Sequence, residues 1–184
     1  MDEVARCVST ALTVSNGVRR DTEVTILFVA EPPPNARRIR VDGARVRFLN
    51  PDERSTAALL KNALVRAASA EHDLESSPGL VVGPVDPQEE LRRFLGEPGA
   101  LWLTELGEPL RTLNFPPGGF AAVLSDPTDP LTEEERILLA SGVPKVSVGP
   151  RSLRSSQVID LVHNEFDLRE GALGGASTGP DPGP

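Results

Sequence analysis

Hydrophobic positions recur at helical or strand spacing along most of this chain. Val4, Val8, Ala11 and Leu12 share one helical face across residues 2 to 15, and Asn16-Gly17 supplies a stop. Residues 22–30, TEVTILFVA, are β-branched and almost continuously apolar, the pattern of a strand buried on both faces of a parallel sheet. Pro32 to Pro34 end it. RRIRV and ARVRF then alternate around Asp42-Gly43, a pair suited to a type I′ turn, and predict a hairpin. Its register places Arg40 opposite Arg45 and Arg38 opposite Arg47, so four arginines share a face. Like charges directly opposite destabilise a sheet. The ladder is therefore either solvated and screened, or seated on an anion such as RNA phosphate.

Asn50-Pro51-Asp52-Glu53 predicts the next helix start, with Asn50 as cap, proline at the first helical position and Leu60, Leu64, Ala67 and Ala68 facing the core. Residues 73–86 are rich in Pro, Gly and Ser and predict a connection, followed by a short helix capped at Asp86 and stopped at Gly96. ALWLTEL (100–106), FAAVLSD (120–126) and PKVSVG (144–149) predict strands. A helix between the last two starts at Thr132 and ends near Gly142. The final helix, about 154–168, should bury Val158, Ile159, Leu161, Val162 and Phe166. Strands alternating with helices imply an α/β fold with a mainly parallel sheet. Residues 170–184 have little to bury and read as a disordered tail.

The 184 residues fit one domain, and 39% hydrophobic with 25% charged residues is the balance of a globular protein. No apolar run reaches bilayer length and the acidic start lacks the features of a signal peptide, so a cytoplasmic location with no membrane role is expected. One cysteine, Cys7, and two histidines, His72 and His163, leave no ligand cluster for a metal. A net charge of −8 argues against indiscriminate nucleic-acid binding. The distribution changes that picture: Arg37, Arg38, Arg40, Arg45, Arg47 and Arg54 fall in one 18-residue window. Arginine suits phosphate through its planar fork, although a GC-rich coding sequence would favour it as well.

Ligands of open α/β sheets bind beyond the carboxyl ends of strands, here Leu124-Ser125-Asp126 and Val148-Gly149-Pro150. Backbone groups at Gly149 can read an adenine edge while Leu124, Val148, Leu153 and Val158 sandwich its ring, or the Gly-Pro pair is only a turn. No GxGxxG is present to suggest a Rossmann dinucleotide site.

The stretch VSVGPRSLRSSQVIDLVHNEFD (146–167) resembles the C-terminal knot of the tRNA pseudouridine(54) N1-methyltransferases of the SPOUT superfamily. SDPTDPLTEEE (125–135), RCVSTALTVSNGVRRD (6–21) and FLNPDERSTAALLKNAL (48–64) are similar to further family segments, in the same order. The resemblance implies a SPOUT domain over residues 1–169, with helices on both faces of the sheet, a trefoil knot at 144–168 and a homodimer formed across it. Members of that family begin with a further strand of the sheet and a loop containing Gly-Arg-x-Asp, of which only Asp2 is retained here. The resemblance therefore implies either a start codon upstream of Met1, the preferred reading, or a decayed or divergent member that lacks the strand. S-adenosyl-L-methionine would be held by Leu103, Thr104 and Glu105, by Leu124, Ser125 and Asp126, and by Ser147, Val148, Gly149, Pro150, Ser152 and Leu153, with Val158 beneath the adenine. His163 and Asn164 match the motif either as packing residues or in catalysis.

The RNA side would use Arg19, Arg38, Arg40, Arg45, Arg47 and Asp52. N1 of pseudouridine is nucleophilic only as its proton leaves, so a carboxylate to accept the proton and a guanidinium to steady the carbonyl charge are required. Asp21, with Arg20 or Arg54, is the expected pair, unless Asp21 merely pairs with an arginine. The expected substrate is tRNA; ribosomal RNA, or an inactive knotted protein that binds RNA or a partner, are the alternatives.

Overall fold

The computed structural model describes residues 1–15, 17–29, 35–115, 118–124 and 132–174. The chain opens with helix α1 (Asp2–Leu12) and a small hairpin of β1 (Thr13–Val14) and β2 (Gly17–Val18). A four-stranded sheet follows, made of β3 (Glu23–Phe28), β4 (Arg37–Asp42), β5 (Leu74–Ser77) and β6 (Leu80–Pro84), with α2 (Glu53–Arg66) crossing between β4 and β5. Its order is β3-β4-β6-β5 and every pairing is antiparallel. Ile39, Val41, Leu80 and Val82 point to one face, where α1 contributes Ala5, Val8 and Leu12 and α2 contributes Leu60, Ala63 and Ala67.

The second half holds α3 (Pro87–Leu95), β7 (Ala100–Pro109), β8 (Ala121–Val123), α4 (Thr132–Ser141), β9 (Lys145–Ser147) and α5 (Ser155–Gly174). Here β8, β7 and β9 form a parallel sheet in that order. Trp102 faces Leu91, Leu95, Ile137 and Leu138 of α3 and α4, while Leu101 and Leu103 face Val162 of α5. Helices thus cover both faces, which is why ALWL reads as an unbroken apolar run. Ile159 of α5 packs on the N-terminal core and Val158 on the C-terminal one, so this helix joins the two halves.

Several expectations hold. Asp86 accepts hydrogen bonds from the N–H groups of Gln88 (2.9 Å) and Glu89 (3.1 Å), and α3 ends just before Gly96. Asp86→Ala should cost about 1 kcal/mol, a fall of roughly 2–4 °C in the unfolding midpoint for a chain of this size. A thermal melt checks it.

Others are corrected. The mainly parallel sheet applies only to β7, β8 and β9. Strand β3 lies at the edge of the antiparallel sheet with its residues only partly covered, and is not a central parallel strand. The Asp42-Gly43 hairpin does not form: β4 pairs with β3 and β6, and residues 43–48 turn away. Gly43 is needed because a Cβ there would sit 2.1 Å from the Arg19 carbonyl oxygen, a close backbone approach and not a type I′ turn. The cap of α2 is Asp52, whose carboxylate accepts from the Ser55 N–H at 2.9 Å, and not Asn50. Ala63 replaces the exposed Ala68 in the core stripe. Residues 73–86 contain a hairpin, not a mere connection, because Leu80 and Val82 alternate into the core. Helix α5 extends to Gly174, past the expected tail boundary, and leaves Leu161 exposed. Residues 175–184, like Asn16 and Ser125-Asp126, lie outside the described residues.

Candidate functional site

The carboxyl ends of β7, β8 and β9 meet over one apolar cluster. Leu103, Leu124, Val148 and Val158, four of the residues assigned to the methyl donor, pack together with Leu101, Val146 and Val162. The Ser147 hydroxyl donates to the Gly149 carbonyl at 2.8 Å and accepts from the Gly149 N–H at 3.1 Å, closing the loop tightly. Space beside Gly149 is open: a Cβ there would meet nothing within 4 Å. Thr104 and Leu153 are half-buried, and Pro150, Ser152 and Glu105 are exposed. The Ser152 hydroxyl beside Glu105 holds that carboxyl below its ordinary range. An apolar bed, free space at a glycine and nearby backbone groups suit a flat ring with a polar edge, which is the chemistry of an adenosyl group.

The pairing of β9 is unusual. Val146 is opposite Leu103 and also opposite Glu108, so residues 104–107 loop out and the chain returns along the same strand. Gly107 makes this possible, since a Cβ there would lie 2.3 Å from the Val146 nitrogen.

Helix α5 begins directly after this loop, and its first turn is held from the other end of the chain. The Ser156 N–H and hydroxyl donate to Glu3 Oε1 at 3.0 and 2.8 Å, and Arg6 holds Oε2 at 2.7 Å. Burial pushes the Glu3 carboxyl up, but Ser156 and Arg6 more than offset it and hold the group below its ordinary value. Arg6 also reaches Glu53 at the start of α2.

The arginines do not form one ladder. Arg38 pairs with Asp73 (2.6 Å) and Glu90 (3.1 Å), and Arg40 lies 3.8 Å from Glu23. Arg20, Arg45 and Arg47 instead line an open groove of about 890 Å³ with Glu75 and Pro78. Arg45 pairs with Glu75 at 2.8 Å, and Arg20 donates to the carbonyls of Gly43 (2.8 Å) and Val46 (3.4 Å). Arg54, Asp52 and Asp21 are exposed, with the Thr22 hydroxyl donating to Asp21. Arg19 forms a two-pronged pair with Asp167 of α5, at 2.8 and 2.6 Å.

A profile of the family described as "Putative SAM-dependent RNA methyltransferase" matches residues 1–170. The tRNA (pseudouridine(54)-N(1))-methyltransferase of Methanosarcina mazei is 40% identical over 174 residues, covering 95% of this chain and 81% of that protein. This chain belongs to the tRNA (pseudouridine(54)-N1)-methyltransferase family. The relative from Methanosarcina acetivorans is 41% identical at the same coverage, and that from Haloferax volcanii 33% identical over 91% of this chain and 82% of its own. In fold, the chain is similar to the crystal structure of Archaeoglobus fulgidus Nep1 bound to S-adenosylhomocysteine: TM-score 0.61, 20% identity, 92% of this chain and 71% of that one. Among the described residues, no helix is long and apolar enough to cross a membrane and no group of three or more acidic, His or Cys residues is placed to hold a metal.

In this member of the methyltransferase family the matched His163 is half-buried on α5. Burial, then the Arg19 guanidinium, hold its pKa below the ordinary 6.5, against the carboxylates of Asp167, Asp21 and Asp160. A histidine depressed in the folded state keeps its full contribution above pH 6.5 and loses it as pH falls through the lower folded value. His163→Gln should therefore flatten the loss of melting temperature between pH 7.5 and about pH 5. An unchanged slope would mean that His163 is not desolvated. Glu3 is the residue that sequence reasoning missed, because its partner lies 153 positions away and no local pattern connects them.

Proposed function

We propose that this chain transfers a methyl group from S-adenosyl-L-methionine to N1 of pseudouridine 54 in the T-loop of tRNA. The observation that carries the reading is the 40% identity to the M. mazei enzyme along nearly the whole chain, together with the convergence of three strand ends on one apolar bed. The donor supplies an electrophilic methyl carbon. Leu103, Leu124, Val148 and Val158 bind its ring, Gly149 gives it room, and the Ser147 bonds fix the loop. Asp21 accepts the N1 proton as the N1–carbon bond forms and the sulfur–carbon bond breaks, leaving S-adenosylhomocysteine. Arg20 is engaged with two carbonyls, which leaves the exposed Arg54 to steady charge on the pyrimidine oxygens.

The double pairing of Val146 supports a knotted chain at residues 144–168. Leu161 and Leu168, one above the other on α5 and both exposed, support a homodimer across that region. The same reading places the enzyme with its tRNA in the cytoplasm. Mass spectrometry of tRNA and ribosomal RNA from a deletion strain tests the function. N1-methylpseudouridine should disappear from the tRNA T-loop; its persistence there, or its loss from ribosomal RNA instead, overturns the assignment.

A further inference from the structure

Phe48 carries two properties that ordinary packing does not require. Among the described residues it alone combines a side chain with a left-handed backbone, at φ 64°. Its ring is 76% exposed, in a chain with one Trp, six Phe and no Tyr. A bulky residue stays in that region only when its surroundings hold it there, and such residues gather at binding sites.

The surroundings do hold it. On one side, Arg20 ties down the Gly43 and Val46 carbonyls, and the Arg45 and Val46 N–H groups donate to the Asp42 carbonyl at 3.1 and 2.7 Å. The Arg47 N–H reaches Pro78, and Gly79 approaches so closely that a Cβ there would lie 2.3 Å from the Val46 nitrogen. On the other side Leu49 packs on the core, and the Asn50 carbonyl accepts the Thr56 hydroxyl at 3.1 Å. The chain between two anchored flanks thus turns Leu49 inward and the Phe48 ring out to solvent. Arg47, which precedes it, lines the groove shared with Arg20 and Arg45.

An exposed aromatic residue next in sequence to an arginine that lines a groove offers the two contacts used for unstacked nucleotides, a ring to stack on a base and a guanidinium to meet phosphate. We propose that Phe48 is a stacking platform for an unpaired base of the RNA substrate, with Arg47 beside it on the backbone. This rests on the tRNA methyltransferase reading and adds a contact to it.

The test uses the whole chain with a T-loop stem-loop RNA carrying pseudouridine, in direct binding and in steady-state methylation. Phe48→Ala should weaken RNA binding and raise the RNA KM roughly ten- to a hundredfold. It should leave the affinity for S-adenosylhomocysteine and the melting midpoint at wild-type values, and Phe48→Trp should restore RNA binding. A 2-aminopurine in the loop should be quenched by the wild type and not by Phe48→Ala. Unchanged RNA constants in Phe48→Ala, or a tryptophan variant as weak as alanine, overturn the proposal. So does loss of a protein partner with RNA constants intact, which makes this a protein interface. If the wild type binds the stem-loop without methylating it, the enzymatic reading fails while the binding arm still decides the role of Phe48.

Discussion

Gly107→Ala is expected to abolish S-adenosylhomocysteine binding at concentrations that saturate the wild type, and to lower the unfolding midpoint by roughly 6–12 °C. The added methyl would lie 2.3 Å from the Val146 nitrogen and 2.5 Å from its carbonyl carbon. Backbone atoms cannot swing aside as a side-chain tip can, so β7 and β9 must separate where Val146 pairs for the second time. Forcing extra atoms into a packed site costs up to about 3 kcal/mol, and more when the backbone must move. The same separation displaces Leu103 and Val148, and the apolar bed with them. Gly149→Ala is the counterpart: space there is open, so its midpoint should stay put while ligand affinity falls. Calorimetry and a melt on both variants decide the matter. A normal midpoint and normal binding in Gly107→Ala would show that β9 has room to move away from residue 107.

For Asp21→Asn, single-turnover methylation at saturating tRNA should slow by about 10²- to 10⁴-fold, the usual contribution of a positioned proton acceptor. Asparagine keeps the shape and most hydrogen bonds but cannot take the proton. The competing role, charge pairing within the RNA-binding surface, predicts a different outcome: a higher KM for tRNA with the single-turnover rate intact. Rate measurements across tRNA concentrations separate the two, and an unchanged rate removes Asp21 from the chemistry.

Elements whose signals are local were legible in the sequence. Asp86-Pro87 and Gly96 bracket α3 because capping is decided within a few residues, and ALWL reads as a doubly covered strand because both of its faces are buried. Strand-end position and family resemblance group Leu103, Leu124, Val148 and Val158, and these four share one apolar cluster. What failed depends on distant contacts. Gly43 looks like a turn residue, yet its glycine is demanded by Arg19 and Thr22 pressing on it from another segment. The alternating arginines suggested a ladder, but Asp73, Glu90, Glu23 and Glu75 supply counter-charges that no local pattern assigns to them. Residues 73–86 hid a hairpin because prolines, serines and glycines outweighed the short apolar alternation of Leu80 and Val82.

The carboxylate of Glu3 on the first turn of α5 has a consequence for the order of events during synthesis. The residue that caps the last helix leaves the ribosome well before its partner Ser156, which follows 153 positions later. Domains acquire structure as they emerge, and contacts this distant must wait until both ends are available. The antiparallel sheet with α1 and α2 can assemble early, while the loop at residues 147–154 gains its anchor only once Ser156 has emerged. A nascent or C-terminally truncated chain would then carry the folded arginine groove without order in the loop proposed to hold the methyl donor, so that the proposed RNA contacts would be available before the chemistry.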